Sequence, residues 1–442
     1  MARGAAVRAI AGVAGTLAVA ACSGQTAGIH AVPAGSPPPI GTTPLGAGGI
    51  AHVVIVVQEN RSFDNLFMGY PDAATATSGR THGGKIVRLE PVSLASPYDV
   101  NHGLIDFVRA HNGGRMDGFD LEGSVGESHN PYLEYSYVPR SETLPYWTMA
   151  GQYALGDRVF TSQIDESFTA HQFLIAGQAG GTGDMPSALP WGCDAPAGTT
   201  IQLLQPDRSL SGGVFPCFDY PTLASELDAH SLSWRYYAPV VGGGDFGGLV
   251  WSAFDAIHQV RYGADWNDVV SPETRVLSDV QHGQLASVTW IVPDLANSDH
   301  ASSDSSTGPD WVASIVNAIG ESPFWKSTAI FVVWDDWGGW YDHIPPPQLD
   351  AAGLGIRVPL LVVSPYAKRN YVSHEQLETA SILKFAEYTF GLKALSAADG
   401  RASLPDDFFD FTRPPRTFVP LSTRRRPPCF SRELPSLRPP DD

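Results

Sequence analysis

Residues 53–57 read Val-Val-Ile-Val-Val, a β-branched run with no alternation of polar and apolar positions. A strand apolar on both faces belongs inside a parallel sheet covered by helices, so the run excludes a half-solvated ribbon at this point. It ends in Glu59 and Asn60, followed by Arg61, Ser62 and Asp64. Open α/β sheets bind ligands in the crevice at the carboxyl ends of their strands, which is where this carboxylate and amide fall. Asn60 or Ser62 also suits the N-cap of a helix starting immediately afterwards. The plainer reading of the stretch is a capped strand–helix turn without chemistry.

The same pattern recurs. Ala286–Pro293 (ASVTWIVP), Thr328–Trp334 (TAIFVVW) and Arg357–Ser364 (RVPLLVVS) read as strands, and Ser233–Val240 is a further candidate. The spacing of Val312, Ile315, Val316 and Ile319 predicts an amphipathic helix over Thr307–Ser322. Helices are also expected over Ser141–Phe160, running into a strand at its end, over Gln172–Gly177, and over Ser373–Phe390. Strands alternating with helices in 442 residues of 43% hydrophobic content predict one large α/β domain. Its central sheet should be mainly parallel, with helices on both faces. The 36 prolines and 45 glycines assign much of the remaining length to loop-rich insertions, chiefly residues 181–250.

The ends differ in composition from the middle. Arg3 and Arg8, the small apolar run Ala9–Ala21 and the closing Val-Ala-Ala-Cys make residues 1–22 an export signal, too short to span a membrane. Its last four residues are similar to a bacterial lipobox, which would leave Cys22 lipidated and in contact with a membrane; simple secretion after cleavage near Ala21 is the alternative. Residues 23–49, rich in Ala, Gly, Ser, Thr and Pro, read as a flexible linker, and residues 412–442 as a poorly ordered Pro/Arg-rich tail. The domain proper is expected over 50–411. Export to an oxidising compartment favours pairing of Cys193 with Cys217, leaving Cys429 over. A net charge of −18 argues against a nucleic-acid partner, which requires clustered Lys and Arg.

Chemistry-bearing residues collect beyond the strands. Asp335 and Asp336 follow Thr328–Trp334 directly, and adjacent carboxylates at a buried strand end must be solvated, paired or bound to metal. Together with Glu59 and Asn60 they form a set of hard oxygen donors suited to one divalent cation. His102, His300 and His343 lie on neighbouring polar loops, and Ser167 opens a segment leading into a helix. A hydroxyl at a helix start suits nucleophilic attack on an anionic group, although most such serines are only N-caps. Metal, hydroxyl and histidines together form a kit for phosphoryl transfer.

The motifs also resemble a known family. Glu59-Asn60-Arg61-Ser62-Phe63-Asp64 is similar to the ENRSFD signature of the bacterial phosphoesterases that include phosphatidylcholine-type phospholipases C and a group of acid phosphatases. Asp335-Asp336-x-Gly338-Gly339-x-Tyr341-Asp342-His343-x-Pro345-Pro346-Pro347 resembles a second signature, and Gly355–Pro359 through Ser364–Ala367 a third. The resemblance spans roughly His52 to Phe411. It implies an alkaline-phosphatase-like fold and metal-assisted hydrolysis of a phosphate ester, either a phospholipid headgroup or a small phosphomonoester. It assigns the metal to Glu59, Asn60, Asp335 and Asp336, the nucleophile to Ser167 through a phosphoryl-enzyme intermediate, and phosphate contact or leaving-group protonation to His102, His300 and His343. Three positions depart from the pattern: Phe168-Thr169-Ala170 replaces x-Pro-Asn after the nucleophile, Asp336 stands in place of a common Glu, and Trp337 replaces His or Asn. The competing functions are a non-catalytic binding lipoprotein on the same fold and a glycosidase using two carboxylates.

Overall fold

The computed structural model describes residues 49–126, 128, 130–241 and 244–432. The export signal, the linker before residue 49 and the end of the tail lie outside the described residues.

Eight strands form the central sheet: β1 (His52–Gln58), β2 (Ala154–Gly156), β3 (Trp234–Tyr237), β4 (Val269–Val270), β5 (Val288–Ile291), β6 (Thr328–Trp334), β7 (Leu360–Val363) and β8 (Tyr371–Ser373). Their order is β4-β3-β5-β1-β6-β7-β2-β8. All run parallel except β7, which is antiparallel to both neighbours. The β-branched run therefore occupies the middle of the sheet, and Val53–Val57 and all of β6 are buried, as two-sided apolar strands require.

Six helices matter here: α1 (Phe63–Phe67), α2 (Leu104–His111), α3 (Leu144–Gln152), α4 (Ser167–Ala176), α5 (Gly308–Gly320) and α6 (Ala380–Phe390). Side chains of α3, α4, α5 and α6 merge with the sheet in one continuous apolar core. The expected α/β architecture with a mostly parallel sheet is what the chain adopts.

Several boundaries moved. The helix expected over Ser141–Phe160 stops at Gln152, because Ala154–Gly156 is taken into the sheet between β7 and β8. Ser373–Phe390 begins as the end of β8 and a short strand, Leu377–Glu378, and turns helical only at Ala380. The tail to residue 432 is fastened rather than loose. Arg416 donates to Gln152 O at 3.0 Å and Ala367 O at 2.9 Å, Asn317 exchanges two hydrogen bonds with Leu421, and Phe430 meets Trp311.

Cys193 and Cys217 form a disulfide, and the insertion they close braces α4. Phe168 packs edge-on against Trp191, while Gln172 accepts from Tyr220 at 2.6 Å and donates to Ala253 O at 2.9 Å.

Candidate metal-dependent active site

Strand register sets the frame of the site. β1 and β6 pair from His52↔Thr328 to Gln58↔Trp334, so Glu59 and Asp335 leave the sheet side by side. The chain then turns sharply. Asn60 takes a left-handed φ of 58°, tolerated by Asn better than by most residues, and donates its N–H to Asp335 Oδ1 at 3.0 Å. Asp336 Oδ1 accepts from Gly338 N at 2.8 Å. Each aspartate thus uses one oxygen to hold the turns and keeps the other for the site.

The two glycines after Asp336 answer a steric demand. Gly338 has φ +61°, and a Cβ there would lie 2.1 Å from Asn60 O. A Cβ on Gly339 would lie 2.4 Å from Val100 Cγ1, on the loop that carries His102. Close packing of these three segments brings His102 Nε2 to 2.9 Å from Asn60 Nδ2 and 3.6 Å from Asp336 Oδ2. His102 Nδ1 stands 2.8 Å from Val100 O, so it carries the proton and Nε2 accepts from the Asn60 amide.

Helix α4 closes the site. Its start is fixed by Asp165, whose carboxylate accepts from Glu166 N at 3.0 Å and from Asp184 N, and by contact of Glu166 with Gly103 next to His102. Gly177, at φ 62°, ends the helix with its N–H on Phe173 O. All ten residues of α4 are buried. Ser167, its first residue, is buried with no hydrogen bond to Oγ among the described residues. One turn along the same face, His171 Nε2 lies 3.1 and 3.3 Å from the Glu59 oxygens and 3.7 Å from Asp335 Oδ2.

Five of the residues expected from the sequence therefore converge: Glu59, Asn60, Asp335, Asp336 and His102. Ser167 joins through its helix. His300 is buried, its Nδ1 3.8 Å from Asp99 Oδ2 and its ring against Trp251. His343 belongs to a second cluster, with Nδ1 2.6 Å from Asp64 Oδ2. There Arg357 binds Asp342 through both carboxylate oxygens, at 2.8 and 3.0 Å, and stacks on Phe63. Desolvation alone would lower the His343 pKa, but the hydrogen bond to Asp64 and the charges of Asp64 and Asp342 outweigh it and raise the value.

The rest of the ENRSFD segment braces the turn. Ser62 caps α1 by accepting from Asn65 N and donates to Tyr341 O at 2.8 Å. Arg61, fully buried, donates to Asp299 O and Leu94 O. Burial lowers the Arg61 pKa to about 10, and burial raises Asp299 to about 7.

The sequence reading missed His171. Its signal was the four-residue spacing from Ser167, which has meaning only once the helix is known to begin at Ser167 rather than at Gln172. The residues fit a divalent cation. Asp335 Oδ2 is buried without a hydrogen bond, and one donor atom each from Glu59, His171 and Asp335 lie within 4.8 Å of one another. The Asp64–Asp342–His343 group has similar spacing but already holds a cation in Arg357.

A buried hydroxyl on the first residue of α4, one turn from a histidine that meets Glu59 and Asp335 at the carboxyl edge of a mainly parallel sheet, is an arrangement suited to an anionic ester. The chain belongs to the phosphoesterase family, whose model matches residues 50–393. It is a phosphoric ester hydrolase, and phosphate esters are its substrates. Phospholipase C A of Mycobacterium tuberculosis is 24% identical, the alignment covering 84% of this chain and 79% of that protein. The non-hemolytic phospholipase C of Burkholderia pseudomallei is 25% identical over 77% of this chain and 55% of its own length. Among solved structures, a protein in the alkaline phosphatase superfamily from Vibrio parahaemolyticus aligns at a TM-score of 0.37 with 9% identity, covering 79% of this chain and 68% of that one. That likeness is too slight to bear on function.

Proposed function

We propose that this protein is an exported, metal-dependent hydrolase of phosphate esters in which Ser167 is the nucleophile and a phosphoserine the intermediate. The observation that carries this reading is the Ser167 hydroxyl: buried, without a hydrogen bond among the described residues, at the start of α4, and one turn from a histidine touching Glu59 and Asp335. A hydroxyl serving only as an N-cap would accept from a backbone N–H two or three residues on.

Glu59, Asn60, Asp335 and Asp336 would hold the cation. When bound, it supplies Lewis-acid polarisation of the phosphoryl group and a lower pKa for a nearby hydroxyl. Ser167 Oγ attacks phosphorus, its proton leaves to solvent or a neighbouring base, and the free N–H groups of the first turn of α4 stabilise the phosphoryl oxygens. His102, with Nε2 2.9 Å from Asn60 Nδ2 and 3.6 Å from Asp336 Oδ2, is the histidine we assign to the leaving-group side, delivering a proton once one is taken up at Nε2. Water then cleaves the phosphoserine and restores the hydroxyl. His300 meets Asp99, three residues before His102, and His343 braces the Glu59–Asp64 turn through Asp64.

Export is supported by the residue 1–22 pattern and by the Cys193–Cys217 disulfide. No helix among the described residues is long and apolar enough to cross a membrane. The names of the relatives suggest a phospholipid, and one surface feature favours that substrate. Ile105, Val108, Leu121 and Val125 are exposed on the segment that carries His102. On the insertion Trp191 and Trp251 are buried, and the exposed large apolar side chains are Leu189, Val214, Phe215 and Val240.

The test is Ser167→Ala assayed on p-nitrophenyl phosphate and p-nitrophenylphosphorylcholine, with and without EDTA. Both activities should vanish in the variant and fall on chelation in the wild type. Hydrolysis persisting in the variant would remove Ser167 from the mechanism. EDTA-insensitive hydrolysis would remove the metal.

A further inference from the structure

The oxygen donors expected from the strand ends are not the full set that surrounds them. His171 points an imidazole nitrogen into the same space, from a helix buried on all sides. Building on the metal-dependent reading above, we infer that His171 is a nitrogen ligand of the cation held by Glu59 and Asp335. This mixed nitrogen–oxygen set selects a transition-metal ion over Ca²⁺ or Mg²⁺.

Three observations lead there. The first is distance. Donors bound at about 2.0–2.2 Å to one ion stand roughly 3–4 Å apart. His171 Nε2 lies 3.1 Å from Glu59 Oε1 and 3.7 Å from Asp335 Oδ2. The second is rigidity. α4 is capped at Gly177, clamped at Asp165 and pressed by the disulfide-closed insertion, so His171 cannot withdraw without unseating Ser167. The third is the orphaned oxygen. Asp335 Oδ2 is buried, makes no hydrogen bond among the described residues and faces His171 at 3.7 Å, the arrangement expected where an ion bridges two groups.

The departure after Ser167 fits this arrangement. Ala170 offers no donor where Asn is usual, and His171, the next residue, reaches the carboxylates instead. The substitution changes the kind of metal favoured. Ca²⁺ and Mg²⁺ are held by oxygen, whereas imidazole suits Zn²⁺, Fe²⁺, Co²⁺ and Ni²⁺.

The experiment uses the purified exported protein, stripped with chelator and titrated separately with Mg²⁺, Ca²⁺, Co²⁺ and Zn²⁺, with bound metal counted by elemental analysis. Zn²⁺ and Co²⁺ should bind at least about tenfold more tightly than Mg²⁺ or Ca²⁺. The Co²⁺ protein should show a paramagnetically shifted, exchangeable imidazole N–H resonance. His171→Gln should remove that resonance and weaken Co²⁺ and Zn²⁺ by a larger factor than Mg²⁺, with an unaltered circular dichroism spectrum. Equal wild-type affinity for both classes of ion, or a shifted resonance that survives in H171Q, overturns the assignment. Should H171Q not fold, wild-type selectivity and the presence or absence of the resonance decide alone. A stripped protein that takes up no divalent ion yet hydrolyses ester overturns the metal-dependent reading itself.

Discussion

Gly338→Ala is the sharpest test of how the two strand-end turns are built. Its consequences divide into two parts. Gly338 sits at φ +61°, a left-handed conformation that costs an L-residue about 1–2 kcal/mol. A Cβ there would also lie 2.1 Å from Asn60 O and 2.6 Å from Asn60 C, both backbone atoms that cannot swing aside. Relieving that overlap should cost a further 1–3 kcal/mol or so, the usual range for overpacking. Gly84→Ala separates the two parts, since Gly84 has φ +82° with nothing within 4 Å of its added Cβ. We expect about 1 kcal/mol lost in G84A and about 2–5 kcal/mol in G338A by urea unfolding. Displacing Asn60 by an ångström should also slow hydrolysis of p-nitrophenylphosphorylcholine on the order of 10²-fold, while G84A stays at wild-type rate. If G338A matches G84A in both stability and rate, the close approach of the two turns is not what positions Asn60.

Four further outcomes are expected. Arg357→Met strips the counter-ion from buried Asp342 and Asp64 and should cost about 3–5 kcal/mol in urea unfolding; a loss under about 1 kcal/mol would mean those carboxylates are already neutral. Cys193→Ser with Cys217→Ser opens a loop of sequence separation 24 and should cost roughly 3 kcal/mol, measured by chemical denaturation of the non-reduced protein. Burial and the neighbouring Asp399 push Glu387 up to about 9, so its contribution to stability is full below the ordinary value of 4.5 and is lost as pH rises toward 9. Glu387→Gln should accordingly match wild type near pH 5 and exceed it at pH 9, and parallel stability curves would refute the assignment. Ile105→Asp with Val108→Asp should depress hydrolysis of phosphatidylcholine vesicles and spare the soluble chromogenic ester, and equal loss on both would remove the apolar rim from substrate binding.

Local composition was enough wherever a segment had one possible environment. Val53–Val57 and Thr328–Trp334 are apolar on both faces, so they could only be interior strands, and they are neighbours in the sheet. Carboxylates directly after such strands had to share the sheet edge, which is why Glu59, Asn60, Asp335 and Asp336 were recognisable before any fold was known. Helix α4 shows the opposite case. Ser167–Ala176 is buried all round, so it lacks the polar face that marks a helix in sequence, and its start was read too late. Ser167 was considered at a helix start, but the helical run was read only from Gln172, so the turn linking Ser167 to His171 was not used and the nitrogen donor was missed. The Arg357–Asp342–Asp64 cluster and the antiparallel β7 were equally beyond reach, because each depends on segments far apart in the chain meeting at one place. Periodicity and residue type report the surroundings of a single segment. Which side chains share a cation, and which shield one another's charge, is decided only when the strands are set in register and the helix is packed across their ends.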